Sequence, residues 1–304
     1  MVSRSAMRAD YRSGGLDFKF TLTCTVAANR SDAWETGMTL IDRVFDDLQA
    51  RRMSMAGNSA PPSQSFADRR VVITGGTAGL GLALVRELLG RGADVAFVAR
   101  KSDGVVRVAQ EFGRPHGVIA DVSRKEEIHR IALQVLGALG GVDVLINNAS
   151  DLGPIPLQLL ADTECEDFER ALLTNVMGPF RLTKALLGSL AGAAREKGGA
   201  VVLNVSSDAA VTPYARWGAY GASKAALQHL TRIWEQELAS SGIRFISVDP
   251  GDMDTAMHAA AVPDADVSSL KRPEVVAREV ADVIAAALPQ SSSEIRVTRV
   301  AESA

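Results

Sequence analysis

A phenol and an ammonium stand one helical turn apart in WGAYGASKAAL, residues 217–227, where Tyr220 and Lys224 are separated only by Gly, Ala and Ser. Residues at i and i+4 share a helix face, so the pair reads in two ways. It is a surface helix with an incidental lysine, or it is a phenol whose pKa a fixed cation lowers for proton exchange with a carbonyl oxygen. Unaided, tyrosine, with a reference pKa of about 10, is a poor acid–base catalyst at neutral pH. A second stretch, TGGTAGLG at 74–81, sets glycines between a strand-like run and a helix-like run. Gly75 permits a tight turn, Gly79 lets the backbone approach a pyrophosphate, and Gly81 lets helix pack on strand. The helix N-terminus behind it offers amide donors and a positive dipole end. A tight turn with no ligand is the competing reading.

The rest of the chain supplies the elements that must position these stretches. RVVITG, DVAFVAR, HGVIADV, VDVLINNAS, AVVLNVSS and IRFISVDPG read as strands rich in Val and Ile, and EIRVTRV as a last one. Helical patterns lie between them. LGLALVRELLGRG closes at Gly92, a weak helix runs through VVRVAQEFG, and SRKEEIHRIALQVLGALGG opens on a capping box of Ser123 and Glu126. A long helix opens at Thr163 and Glu166, another carries YGASK, and one starts at Pro273. Strands apolar on both faces imply a parallel sheet covered on both sides, and right-handed crossovers wind it in two directions. The expected fold is α/β: a doubly wound, Rossmann-like parallel sheet of about seven strands with helices on both faces, a single domain over residues 66–304.

The 304 residues are 47% hydrophobic and 23% charged, with a net charge of −3, as in an ordinary soluble globular protein. Nothing suggests a nucleic-acid surface, and no apolar run is long enough to cross a bilayer. Cys24 and Cys165 make no disulfide framework, so a reducing, cytoplasmic compartment is expected. His116, His129, His229 and His258 lack metal-ligand spacing. Residues 1–65 differ from the remainder: Arg4, Arg8 and Arg12 recur in a Ser-containing start, 32–52 could form an amphipathic helix, and 57–65 is linker-like. Asp10 and Asp17 argue against a transit peptide, and Met53 or Met55 is an alternative start. This segment is treated as an N-terminal extension and linker of unassigned role.

In order, TGGTAGLG, DV at 121–122, NNAS at 147–150, Asn175 in LLTNVMGPF, NVSS ending at Ser207, YGASK and DPGDMDT resemble the motifs of the short-chain dehydrogenase/reductase family, over roughly residues 68–300. Each is common alone; the ordered set is specific. The resemblance implies a catalytic tetrad of Asn175, Ser207, Tyr220 and Lys224. Ser207 precedes Tyr220 by thirteen residues, the family's interval, which favours it over Ser206. In that role Ser207 hydrogen-bonds the substrate oxygen, and Lys224 reaches the ribose hydroxyls. Lys224 and an oxidised nicotinamide ring lower the phenol's pKa, and Asn175 supports a water linking Lys224 to solvent. The resemblance also implies cofactor contacts from Gly75, Thr77, Gly79, Leu80 and Gly81, from Asp121 and Val122 at the adenine, from Asn147 and Ala149, and from Val248, Pro250, Gly251 and Thr255 near the nicotinamide. Four departures stand out. Ser150 replaces a usual Gly, Ile246 a frequent Asn, the last strand lacks trailing glycines, and residues 1–65 have no counterpart.

The second strand runs into Ala99, Arg100 and Lys101, with no acid before Asp103. An NAD site needs a carboxylate there for the ribose hydroxyls, whereas a guanidinium binds a 2′-phosphate. NADP(H) is therefore expected over NAD(H), through Arg100, although Ala78 is not the basic residue that some NADP-dependent relatives carry. The expected activity is carbonyl/alcohol interconversion with reduction as the working direction. The competing readings are a non-catalytic nicotinamide-binding regulator and a lyase or epimerase that uses the cofactor transiently. The resemblance implies that DMDTAMHAAAVPDADVSSLKR covers a small-molecule substrate; its Met, Ala and Val suit a partly apolar substrate or equally pack the cover onto the core, and Tyr214 and Trp217 could wall the pocket. The resemblance further implies a homodimer or homotetramer through the helices containing Asn175 and Tyr220, with no nucleic-acid or membrane partner.

Overall fold

A computed structural model describes residues 65–113 and 115–288. The expected seventh strand and the N-terminal extension through residue 64 lie outside the described residues. β1 (Arg70–Thr74) leads into α1 (Gly79–Gly90), β2 (Asp94–Ala99) into α2 (Ser102–Phe112), and β3 (His116–Ile119) into α3 (Ile128–Leu139). β4 (Val144–Asn147) leads into α4 (Cys165–Leu172) and α5 (Gly178–Lys197), and β5 (Ala200–Val205) into α6 (Gly218–Glu237). β6 (Ile243–Val248) is followed by α7 (Ala256–Ala261) and α8 (Pro273–Ala287). The described strands form one parallel sheet in the order β3-β2-β1-β4-β5-β6. The order reverses between β1 and β4, which opens a crevice at the strands' C-terminal ends. No described helix is long and apolar enough to cross a membrane.

Alternation along each strand divides the core into two layers. Val71, Ile73, Val95, Phe97, Val201 and Leu203 pack with Leu84 and Leu88 of α1 and Val280 and Ile284 of α8. Val72, Ala96, Val98, Leu145 and Val202 pack with Ile131 and Val135 of α3 and Leu182 and Leu186 of α5. Each fully buried Leu or Ile in these layers contributes about 1.5–3 kcal/mol. Of the strands read as apolar on both faces, β1, β2, β4 and β5 are buried on both, whereas β3 at the sheet's edge buries only Val118 and β6 leaves Arg244 exposed.

The N-terminal edge of the sheet is held by charge. Asp143, fully buried just before β4, accepts from Arg70 N (2.7 Å), Nε (2.9 Å) and Nη2 (2.9 Å), and from Lys197 Nζ (3.0 Å). Burial alone would raise the carboxyl's pKa, but the Arg70 and Lys197 bonds outweigh it and hold the group below the ordinary carboxylate range. The contact ties the start of β1 to the start of β4 and the end of α5.

Two helix starts differ from the sequence expectation. Ser123 and Glu126 form no capping box: Ser123 N and Oγ both donate to Asp121 Oδ1, at 2.9 and 2.7 Å, and α3 begins only at Ile128. The nearer carboxylate has captured the groups that a cap would have used. The long helix expected from Thr163 opens two residues later and runs unbroken to Lys197, with a change of winding inside it. α4 begins at Cys165, and a wide π-helical turn at Leu173–Met177 joins it to α5. Such turns concentrate at functional positions, and Asn175 lies inside this one.

Candidate active site

The turn after β1 sits at the sheet's crevice. Gly75 N and Gly76 N donate to Val98 O of β2 at 2.7 and 3.4 Å. A Cβ on Gly81 would fall 2.1 Å from the Gly75 carbonyl oxygen and 2.5 Å from Asn148 Nδ2, so α1 can start this close to β1 only on a glycine. Asn148 N and Ala149 N each donate to Thr74 Oγ1 at 3.0 Å, and Asn148 Nδ2 donates to Thr74 O at 2.9 Å. This clip joins the ends of β1 and β4. α1 opens at Ala78 with no side-chain cap and no acid in its first turn. Its first amides and positive dipole end are left for an external anion. Thr255, from the segment after β6, faces the turn, its Cγ2 3.3 Å from where a Cβ on Gly79 would lie. The cradle fits the pyrophosphate of a dinucleotide. The Leu80 side chain is buried in the core, so it has only backbone to offer there.

The other residues expected at a cofactor are placed unevenly. Arg100 is exposed at the end of β2, and Arg107 of α2 donates from Nη2 to Thr77 O at 3.2 Å, which puts it beside the same turn. Asp121 keeps Oδ1 for Ser123 while its backbone N donates to Glu127 Oε2 at 3.0 Å. Val122 is buried in the second core layer. Asn147 is buried and donates from Nδ2 to Asn204 Oδ1 at 2.7 Å, and Asn204 Nδ2 donates to Thr231 Oγ1 of α6 at 2.8 Å. The Asn147 side chain thus locks β4 to β5 and α6. Gly251, at φ +69°, follows Pro250 and donates its N–H to Asp249 Oδ1 at 2.9 Å.

Tyr220 and Lys224 share a face of α6, with Nζ 5.4 Å from the phenol ring centroid. Lys224 is 2% exposed and donates to Val205 O at 2.7 Å. Burial pushes its ammonium down to about 8, against the pull of the Asp249 charge. Burial pushes the Tyr220 phenol up to about 12, Ser207 and Ser150 hydroxyls draw it back, and Asp249 and Asp208 add to the rise. The expectation of a phenol lowered by its lysine is therefore not met by the protein groups alone. Desolvation outweighs a lysine whose own charge burial has weakened. A phenol so held keeps its proton through the neutral range.

Ser207 Oγ donates to Asp208 Oδ1 at 3.0 Å and accepts from Ala209 N at 3.2 Å. Ser206 Oγ is buried with no hydrogen-bond partner. Of the two serines, Ser207 is the one whose hydroxyl draws the phenol's pKa down. Asn175 Oδ1 accepts from Asp151 N (2.8 Å) and Ser150 Oγ (3.2 Å), while Nδ2 donates to Asp151 O (2.8 Å) and Ser223 Oγ (2.8 Å). All four positions of the amide are taken by protein groups, so the side chain cannot also hold the expected water. It braces the loop after β4 against the residue preceding Lys224.

Three contributors were not anticipated. Ser150, noted only as a departure from glycine, donates to Asn175 Oδ1 and draws the Tyr220 phenol's pKa down. Asn148 clips the turn to β4. Asp249 biases both Tyr220 and Lys224, and the only sequence signal for it was a carboxylate directly before Pro250. A cavity of about 510 Å³ opens in front of Tyr220, lined by Ser206, Ser207, Tyr214, Trp217 and the segment 249–270 among others. The expected pocket walls and cover therefore do gather here.

The family model for short chain dehydrogenases matches residues 69–266. An uncharacterized short-chain type dehydrogenase/reductase of Sinorhizobium fredii is 35% identical over 207 residues, covering 67% of this chain and 36% of that protein's length. A glucose 1-dehydrogenase of Gluconobacter oxydans is 30% identical over 250 residues, 78% of this chain and 91% of that protein. A solved short chain dehydrogenase from Shigella flexneri, complexed with NADP, superposes with a TM-score of 0.65 at 26% identity, covering 70% of this chain and 89% of that one. A 3-ketoacyl-(acyl-carrier-protein) reductase from Brucella melitensis, complexed with NADH, gives 0.67 at 28% identity, covering 72% and 91%.

Proposed function

The chain belongs to the short-chain dehydrogenase/reductase family, and from that premise we propose that it is an NADP(H)-dependent oxidoreductase interconverting a carbonyl and an alcohol, with reduction as its working direction. One observation carries the reading. A buried, protonated phenol, its pKa drawn down by the Ser207 and Ser150 hydroxyls, is backed by Lys224 at the mouth of a cavity. In reduction Tyr220 gives its proton to the carbonyl oxygen. The Ser207 hydroxyl turns from Asp208 to hold that oxygen, and the positive charge of Lys224 stabilises the phenolate left behind. The bound cofactor supplies the hydride from its nicotinamide ring. Gly75, Gly79, Gly81, Thr77 and Thr255 would hold its phosphates, Asp121 and Val122 would border the adenine, and Ala149 and Gly251 the nicotinamide side.

The preference for NADP(H) rests on Arg100, with Lys101 beside it and Arg107 bonded to the neighbouring turn. A 2′-phosphate bound by a guanidinium gains a charge-assisted hydrogen bond that NAD(H) cannot offer. The test is cofactor oxidation with a panel of ketones and aldehydes, run with NADPH and NADH. Arg100→Ala should weaken NADPH by about ten- to a hundredfold and leave NADH nearly unchanged. A higher kcat/KM for NADH in the wild-type protein overturns the cofactor assignment, and no turnover with any carbonyl overturns the activity. The helices carrying Asn175 and Tyr220 are proposed to form a dimer or tetramer interface; light scattering that shows only monomer removes that part.

A further inference from the structure

The substrate cavity carries an unusual balance of charge. Asp208, Asp249, Asp252 and Asp266 line it, and among the described residues neither lysine nor arginine does. His258, whose Nε2 lies 3.5 Å from Asp252 Oδ1, is the basic side chain present. Lys224 lies behind Tyr220 on the Val205 carbonyl and does not line the cavity. The lining is also aromatic: the Trp217 ring is 6.5 Å from Tyr214 and 5.7 Å from Tyr220, edge-on to both. Ser206 Oγ, on a residue 4% exposed, lines the same cavity without a partner. Resting on the oxidoreductase reading above, we propose that the carbonyl substrate carries an ammonium group, held by these carboxylates beside the Tyr214–Trp217–Tyr220 rings, and that an uncharged substrate polar group completes Ser206.

The physical case is one of compensation. Asp208 accepts from Tyr214 Oη at 2.7 Å, from Ala209 N at 2.7 Å and from Ser207 Oγ at 3.0 Å, all neutral donors that leave its charge unpaired. Asp249 accepts the Gly251 N–H at 2.9 Å, and the Asp208 backbone N–H also draws its pKa down. Its carboxyl is pushed up, first by desolvation and then by the charges of Asp208 and Asp252. A bound cation relieves that repulsion. A polyol would hydrogen-bond the same carboxylates but leave their mutual repulsion in place, and an anionic substrate would add to it. Aromatic faces beside carboxylates are also the setting in which quaternary and tertiary ammonium groups are recognised. A volume of about 510 Å³ suits a small-molecule ligand. The reaction leaves the ammonium untouched. A C–H bond forms as the carbonyl π bond breaks, the oxygen takes the Tyr220 proton, and the reduced nicotinamide is oxidised by two electrons.

The test compares a cationic ketone, N,N-dimethylpiperidin-4-one as its quaternary salt, with its carbon isostere dimethylcyclohexanone, an oxocyclohexane carboxylate and a polyhydroxy ketone, all with NADPH. The cation should exceed its isostere in kcat/KM by about tenfold, the worth of an exposed charge pair plus a ring contact. Asp249→Asn should collapse that ratio, and Asp252→Asn, at a side chain 81% exposed, should lower it in the same direction. Binding of the same ketones to the Tyr220→Phe protein, read by tryptophan fluorescence, separates recognition from turnover. Equal or better turnover of the neutral, anionic or polyol ketone overturns the ammonium site and leaves the oxidoreductase reading standing. Selective binding of the cation with no turnover of any ketone keeps the site and removes the reductase reading. Absence of both removes both.

Discussion

Asp143 and Asp249 are the same side chain at opposite edges of one sheet. Asp143, at the N-terminal edge, is fully buried yet stays ionised, because Arg70 and Lys197 give it four hydrogen bonds. Asp249, just past β6 at the C-terminal edge, faces the cavity with only the Gly251 and Asp208 backbone N–H groups and two like charges for company, and its carboxyl is pushed up instead. The first arrangement satisfies every demand of the charge and so serves the fold. The second leaves a demand open, and an open demand is where a ligand can act. Ser206 and the first amides of α1 repeat the pattern at the same edge.

Substitutions at each edge should separate the two roles. Tyr220→Phe, at the C-terminal edge, removes one oxygen and little surface. It should cut turnover by about 10²–10⁴-fold while cofactor affinity and melting temperature hold, as steady-state kinetics and a thermal shift would show. A tenth or more of wild-type rate would remove Tyr220 from the chemistry. Asp143→Ala, at the other edge, should do the converse. It strands two cations, and because Arg70 and Lys197 keep 19% and 29% side-chain exposure, a loss of about 3 kcal/mol is expected, the low end for a broken buried pair. That is on the order of 10 °C in Tm, with kcat retained in whatever fraction stays folded. In the wild type this contribution is present above the unfolded carboxyl's pKa and fades as pH falls through the lowered native one. Acid unfolding of Asp143→Ala should therefore be shallower.

Smaller effects sharpen the contrast. Lys224, pushed down to about 8, loses its charge as pH climbs through that value. The kcat/KM for ketone reduction should fall on that alkaline limb, and the residual rate of Lys224→Met should show no inflection there. Smallest is Asp249→Asn. The raised native pKa means that ionised Asp249 costs stability as pH rises above its unfolded value, so at neutral pH its removal should be neutral or slightly stabilising, within about 0.5 kcal/mol. A clear loss of stability would make Asp249 a second Asp143.

What was legible in the sequence follows the same division. The alternation of strands and helices showed because burial on both sheet faces writes itself as runs of Val and Ile in β1, β2, β4 and β5. The turn at 74–81 was readable because only glycine fits at Gly81. Helix entry was misread where short polar side chains compete: Ser123 suits a cap, but Asp121 lies two residues away and takes it. The wide turn at 173–177 left no trace, since helical periodicity runs straight through it. Ser150 and Asp249 were overlooked as participants because neither has a reactive type or spacing by itself. Their part comes from loops that only the assembled sheet edge brings to Tyr220.

Asn175 sets a limit on how this protein can change. Its amide fills two donor and two acceptor positions at once, joining the loop after β4 to α6. Aspartate at that place would lose both donors, serine and threonine are too short, and glutamine carries the same groups one methylene too far. No neighbouring residue type can stand in, so the position offers no gradual path of replacement. The cavity rim, by contrast, is built of exposed loop residues that can be exchanged singly. A lineage descended from this chain could therefore alter which molecules it accepts many times over while this one joint stays fixed.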